Sequence, residues 1–310
     1  MKPLLICLFA TVFATITLAA DLPKPFAGAK RVIFLGDSIT YAGQYVEFVE
    51  AWCRLRFPEN KIEFLDIGLP SETVSGLSED GHAGGKFPRP DLHERLERVL
   101  AKSKPDLVVA CYGMNCGIYL PFAEERLAKY RDGMERLRKA CDAHGAKVLH
   151  ITPPTFDEVK GGKPGYGGTL DRYSEWLVGQ RKSGWDVVDS HTPMNRHLAE
   201  QRAKDPKFFL AGDGVHCNET GHWLIAKSIL LHLGAKDVAP MNSAKELTAT
   251  HPNGDAVLKL VQQRQRMMKD AWLTDTKHIR PGMKAGLPLP EATAKSTELS
   301  RHLDALLTVK

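Results

Sequence analysis

Short apolar runs alternate along most of this chain with stretches in which apolar residues recur at helical spacing. Arg31–Leu35 (RVIFL), Ile62–Ile67, Asp106–Cys111 (DLVVAC), Lys147–Thr152 (KVLHIT) and Trp185–Asp189 (WDVVD) read as buried strands. Between them, Tyr45–Phe57 carries Val46, Val49, Trp52, Cys53 and Phe57 at helical spacing. Leu92, Leu96, Val99 and Leu100 mark another helix, and Ala123–His144 is a long charged one ended by Gly145, a natural C-cap. Leu170–Val178 and Glu219–Leu233 complete the series.

Strands alternating with helices imply a parallel sheet covered on both faces. Five strands predict a three-layer, doubly wound α/β domain of flavodoxin-like order, with chemistry at the carboxyl ends of the strands. No internal repeat interrupts it. The pattern changes near residue 240. Asp255–Trp272 and Glu291–Leu307 read as helices separated by the Pro- and Gly-rich HIRPGMKAGLPLP, a C-terminal helical appendage over residues 241–310.

Composition adds exclusions. The chain has 310 residues, 43% of them hydrophobic and 25% charged, which fits a globular protein and excludes a disordered, collagenous or coiled-coil one. A net charge of +5 without any long run of one sign describes a mixed surface and argues against a nucleic-acid partner. Six cysteines are too few for a disulfide-built scaffold. At the N-terminus, Lys2 precedes an apolar stretch from Leu4 to Leu18, then Ala19 and Ala20. This layout predicts a signal peptide over residues 1–20 and an exported protein over 21–310. The apolar stretch is short for a membrane span, so no stable membrane insertion is expected.

Candidate chemistry lies at the expected strand ends. Gly36-Asp37-Ser38-Ile39-Thr40 follows the first strand and precedes a helix, so Ser38 is presented near a positive helix end. Helix capping by Asp37 or Ser38 is the plainer alternative. Asp213-Gly214-Val215-His216 places a carboxylate three residues before an imidazole, the partners a serine nucleophile requires. No metal-ligand spacing accompanies them, so neither metal nor cofactor is expected. Asn115, beyond the third strand, has an amide suited to donating to an oxyanion, and the Gly68–Thr73 loop beyond the second offers backbone N–H groups. The Gly81–Pro90 loop, with His82 and Arg89, and the Gly161–Gly168 segment could rim a pocket; of these, His82 and Arg89 are the candidates for touching substrate.

Together these segments resemble the GDSL/SGNH hydrolase family over roughly residues 31 to 233. GDSIT matches the family's first block with Ser38 as nucleophile, GMN its third with Asn115 as oxyanion donor, and DGVH its last with Asp213 and His216 completing the triad. GLPSET stands where the second block lies, with Ser71 at the place of the usual oxyanion-hole glycine. The resemblance implies an oxyanion hole of Ser38, Ser71 and Asn115. Two further departures are Cys116, where Asp often follows the Asn, and Cys217, where Pro commonly follows the His. A disulfide between them and a pair of free thiols both stay open.

The resemblance implies a serine esterase acting on small-molecule or glycan esters. Export and polar, Gly-rich rims favour short acyl groups, acetyl above all, on carbohydrate. A lipolytic esterase and a non-catalytic glycan-binding protein on the same fold are the alternatives.

Overall fold

The computed structural model describes residues 22–308; the expected signal peptide falls outside them. In chain order the first half runs β1 (Arg31–Gly36), α1 (Ser38–Ala42), α2 (Gln44–Arg56), β2 (Glu63–Asp66), α3 (Leu92–Ser103), β3 (Leu107–Cys111), α4 (Glu124–Ala143) and β4 (Lys147–Ile151). The second half runs α5 (Glu158–Gly161), α6 (Tyr166–Gly179), β5 (Asp186–Val188), α7 (His191–Arg202), α8 (Glu219–His232), α9 (Ala244–Thr248), α10 (Gly254–Asp275) and α11 (Leu289–Leu307). The sheet is wholly parallel, in the order β2-β1-β3-β4-β5. This is the doubly wound α/β architecture that the alternating pattern implies, with the C-terminal helices added.

Alternation along each strand divides the interior into two cores. Val32, Phe34, Phe64, Val109 and Leu149 face one core with α2 and α8. Ile33, Leu35, Leu65, Val108 and Val187 face the other with α3 and α4. Both faces of the sheet are therefore dry, which explains why its strands read as continuous apolar runs.

The C-terminal helices are built into this arrangement. Val257 and Val261 of α10 join the first core, while Met268, Trp272 and Leu273 join the second. The helix thus wraps the edge of the sheet at β2. A free edge strand leaves alternate N–H and C=O groups unpaired. Gln265 satisfies two of them: its Nε2 donates to Phe64 O (2.8 Å) and its Oε1 accepts from Asp66 N (3.2 Å). One side chain stands in for a neighbouring strand.

Two differences from the sequence pattern concern helices. The glycine-rich 161–168 segment is not wholly loop, because α5 ends at Gly161 and α6 begins at Tyr166. Tyr166 is buried and its hydroxyl donates to Met114 O (2.6 Å), an anchor that holds the glycines in the first turn. Helix α7 has only Met194 and Leu198 as buried apolar anchors, too few to stand out as periodic.

Candidate active site

The carboxyl ends of β1, β2 and β3 converge with the loop before α8. At β1, Asp37 caps α1 by accepting from Ile39 N (2.9 Å), which leaves Ser38 as the first helical residue. Capping and presentation of Ser38 are therefore one arrangement. Gly36 is required by packing, since a Cβ there would lie 2.0 Å from Thr40 Oγ1 and 2.7 Å from the Cys111 carbonyl oxygen.

Ser38 Oγ lies 2.9 Å from His216 Nε2, and His216 Nδ1 lies 2.6 Å from Asp213 Oδ2. The second Asp213 oxygen accepts from the backbone N–H of Val215 (2.9 Å) and His216 (2.8 Å). Burial opposes its charge, but the imidazole and these N–H donors outweigh it and hold the carboxyl at about 2. It stays ionised beside His216 at any ordinary pH. Gly214, at φ +82°, turns this loop tightly against Gly161, and its carbonyl accepts from Asp157 N (3.0 Å). The side chains of His216 and Asp213 are 54% and 56% exposed, so the site opens broadly to solvent.

Asn115 is buried, with Nδ2 donating to the Glu72 carbonyl (3.2 Å). Its Oδ1 accepts from the Tyr119 hydroxyl (2.9 Å), which fixes the amide with its NH2 end away from Tyr119. Tyr119 gave no signal in the sequence beyond its place four residues on; Ile118 and Tyr119 both take positive φ, so the chain doubles back there. Ser71 also adopts a left-handed backbone, φ +71°, the conformation that favours glycine. Among the described residues, the backbone N–H groups of Ser38 and Ser71 donate to no protein acceptor. The next residue anchors the loop: buried Glu72 takes two bonds from Arg95 (2.6 and 2.8 Å) and one from Tyr112 (2.6 Å). This carboxylate anchor had no sequence signature.

The two rim candidates are placed differently from the sequence expectation. Arg89 is buried, bonds Glu79 through Nε and Nη2 (both 2.6 Å), reaches Ser71 O (3.4 Å) and lies 5.3 Å from the Tyr119 ring centre. Its guanidinium holds the Ser71 loop against Tyr119, with Nε and Nη2 engaged by Glu79. His82 packs within its own loop, edge-on to Phe87 and 3.5 Å from Glu79. Cys116 and Cys217 are both free thiols, and they lie in the cores on opposite faces of the sheet, which keeps them apart. No cluster of three metal-ligating side chains occurs among the described residues.

A serine, an imidazole and a carboxylate linked in series at the carboxyl edge of a doubly wound sheet define a hydrolase of the serine type. The chain belongs to the GDSL-like lipase/acylhydrolase family, whose model matches residues 34–224, and is a carboxylic ester hydrolase. No curated protein matches it. Among solved structures, it resembles a gut microbial diltiazem-metabolizing enzyme at TM-score 0.52 and 22% identity, covering 69% of this chain and 49% of that one. The match therefore spans about half the length of that enzyme. It also resembles Axe2, an acetylxylan esterase from Geobacillus stearothermophilus, at TM-score 0.51 and 23% identity, covering 66% of this chain and 94% of that one.

Proposed function

We propose that Ser38, His216 and Asp213 form the catalytic triad of an esterase that removes short acyl groups, acetyl above all, from carbohydrate. The relay of 2.9 Å and 2.6 Å contacts from Ser38 through His216 to Asp213 carries this reading. His216 takes the Ser38 proton as the serine oxygen attacks the ester carbonyl. Asp213 holds the imidazole tautomer and stabilises the imidazolium that forms. The N–H groups of Ser38 and Ser71 and the Asn115 amide receive the oxyanion. His216 then returns the proton to the departing sugar oxygen, and water releases the acyl group by the reverse path.

Two observations and one energetic argument support the substrate class. The His216 and Asp213 side chains are more than half exposed, which suits an ester carried on a large hydrophilic molecule. A long acyl chain would need an apolar channel, each buried methylene being worth about 0.8 kcal/mol. A neighbour of similar fold is named as an acetylxylan esterase. Export follows from the leader read in residues 1–20 and is part of the proposal. Among the described residues no helix is long and apolar enough to cross a membrane.

The test is hydrolysis of aryl acetate and aryl octanoate by the chain lacking residues 1–20, beside Ser38→Ala. Acetate turnover that exceeds octanoate turnover and vanishes in the variant is expected. Preference for octanoate would replace the short-acyl reading with a lipolytic one. Binding of acetylated xylo-oligosaccharide without turnover would point to a glycan-binding protein.

A further inference from the structure

At the opposite end of the sheet from Ser38, where β2 begins, a cavity of about 230 Å³ lies between α2, α10 and α11. Its inner wall is cationic. Arg54 and Arg264 both line it, with side chains only 7% and 2% exposed. They share one buried carboxylate, Glu50. Arg264 Nη2 holds that carboxylate closely (2.5 and 2.6 Å) and also donates to Phe64 O (3.2 Å). Arg54 reaches Glu50 only at 3.4 Å, and its bonds to Asn60 O and Ile62 O are 3.3 Å long. The Nε of Arg264 is buried with no hydrogen-bond partner.

The remaining charges around the cavity cancel. Lys61 pairs with Asp304 (2.9 Å) and Glu63 with Arg31 (2.7 Å). Two guanidinium groups against one carboxylate leave one positive charge unmatched. An unpaired buried charge is costly, and a buried N–H without an acceptor adds to that cost.

The outer wall is a stripe of hydroxyls. Thr293, Ser296, Thr297 and Ser300 occupy one face of α11, where a helix packed on a domain ordinarily presents apolar groups. The two threonines donate back to Leu289 O (2.8 Å) and Thr293 O (3.0 Å). The Ser296 and Ser300 hydroxyls have no such acceptor among the described residues and are free to donate into the cavity. Guanidinium groups on one side and serine hydroxyls on the other suit an acceptor-rich anion.

We propose that this cavity is a binding site for a small oxyanion, such as phosphate or a sugar carboxylate, which bridges α11 to Arg54 and Arg264. The anion neutralises the surplus charge and ties the C-terminal helix to the sheet domain. The site is remote from Ser38 and does not depend on the esterase reading.

The experiment uses the Ser38→Ala chain, so that activity plays no part. Inorganic phosphate and, separately, glucuronate are titrated by calorimetry and thermal melting, at constant ionic strength against chloride. Saturable binding of one equivalent of either anion is expected, with the melting midpoint raised by about 5 °C at a hundredfold excess over Kd. The anion that binds more tightly identifies the source. Arg264→Gln should abolish the response. Because Arg264 also holds Glu50, Ser300→Asp provides a second variant that places a carboxylate in the cavity from the half-exposed helix face. It should fold, by circular dichroism, and bind at least tenfold more weakly. Absence of saturable binding in the parent, or undiminished binding in folded Ser300→Asp, would overturn the proposal.

Discussion

Asn115 illustrates how a role depends on a neighbour. Its amide can donate to an oxyanion only through its NH2 end, and the Tyr119 hydroxyl, bound to Oδ1, keeps that end on the Glu72 side. Asn115→Ala is expected to lower kcat about a hundredfold with KM little changed, the usual cost of one oxyanion donor. Tyr119→Phe should lower kcat about tenfold, and it should add nothing further in the Asn115→Ala background. Additive losses in steady-state kinetics would dissociate Tyr119 from Asn115. Ser71 makes a separate point. A serine at φ +71° carries backbone strain of about 1–2 kcal/mol. Ser71→Gly relieves it while loosening the unfolded chain by about 0.5–1 kcal/mol. A net gain of about 0.5 kcal/mol in urea unfolding is expected, with esterase turnover retained because the N–H remains. Loss of both stability and turnover would mean that the serine side chain itself is required.

At the scale of elements, α10 gives the C-terminal region its purpose. It closes both cores at the β2 edge and pairs that edge through Gln265. Gln265→Leu leaves the buried Asp66 N–H without its partner and removes one donor each from Glu50 Oε2 and Phe64 O, which keep only Arg264. It should cost about 2–3 kcal/mol of unfolding free energy, within the range for an abandoned buried polar group. A cost below about 0.5 kcal/mol, the level of an ordinary surface change, would show that the edge does not need the amide. Removing everything after residue 240 would strip Val257, Val261, Met268 and Trp272 from the cores and bare the edge strand. Edge-to-edge association of the kind open strands permit is then the expected fate.

The whole molecule carries a pH signature from its buried carboxyls. Burial pushes Asp66 up to about 7 and Asp37 up to about 6, against an ordinary value of 3.8. Between that value and the raised one, the folded state retains a proton that the unfolded chain has released. Stability contributed by these groups is therefore present at low pH and falls as pH rises to about 7. Two imidazoles oppose this. His150 and His222 are held by burial at about 3 and about 4, so they favour the folded state increasingly as pH rises towards 6.5. The clean measurement is a difference. Unfolding free energy should decline by about 2 kcal/mol less between pH 5 and pH 8 in Asp66→Asn than in the parent, since a tenfold change in proton affinity on folding is worth about 1.4 kcal/mol. Parallel pH profiles would remove Asp66 as a source.

Local chemistry determined the strands, most helix positions and the three residues of the relay. An all-buried parallel strand must be apolar on both faces, and such runs are visible without a structure. Ser38, Asp213 and His216 were legible because each sits in a short segment whose spacing already limits what it can reach. The tertiary structure decided what lies between segments. Arg89 looked available in a basic loop, but Glu79 and the Ser71 carbonyl occupy it. Tyr119 became relevant only when the chain doubled back on Asn115. Cys116 and Cys217 flank converging groups in sequence, yet the sheet stands between them. The physical reason is common to all three. Residue type and spacing set what a side chain can do, whereas burial and distance across the fold set which partner it meets.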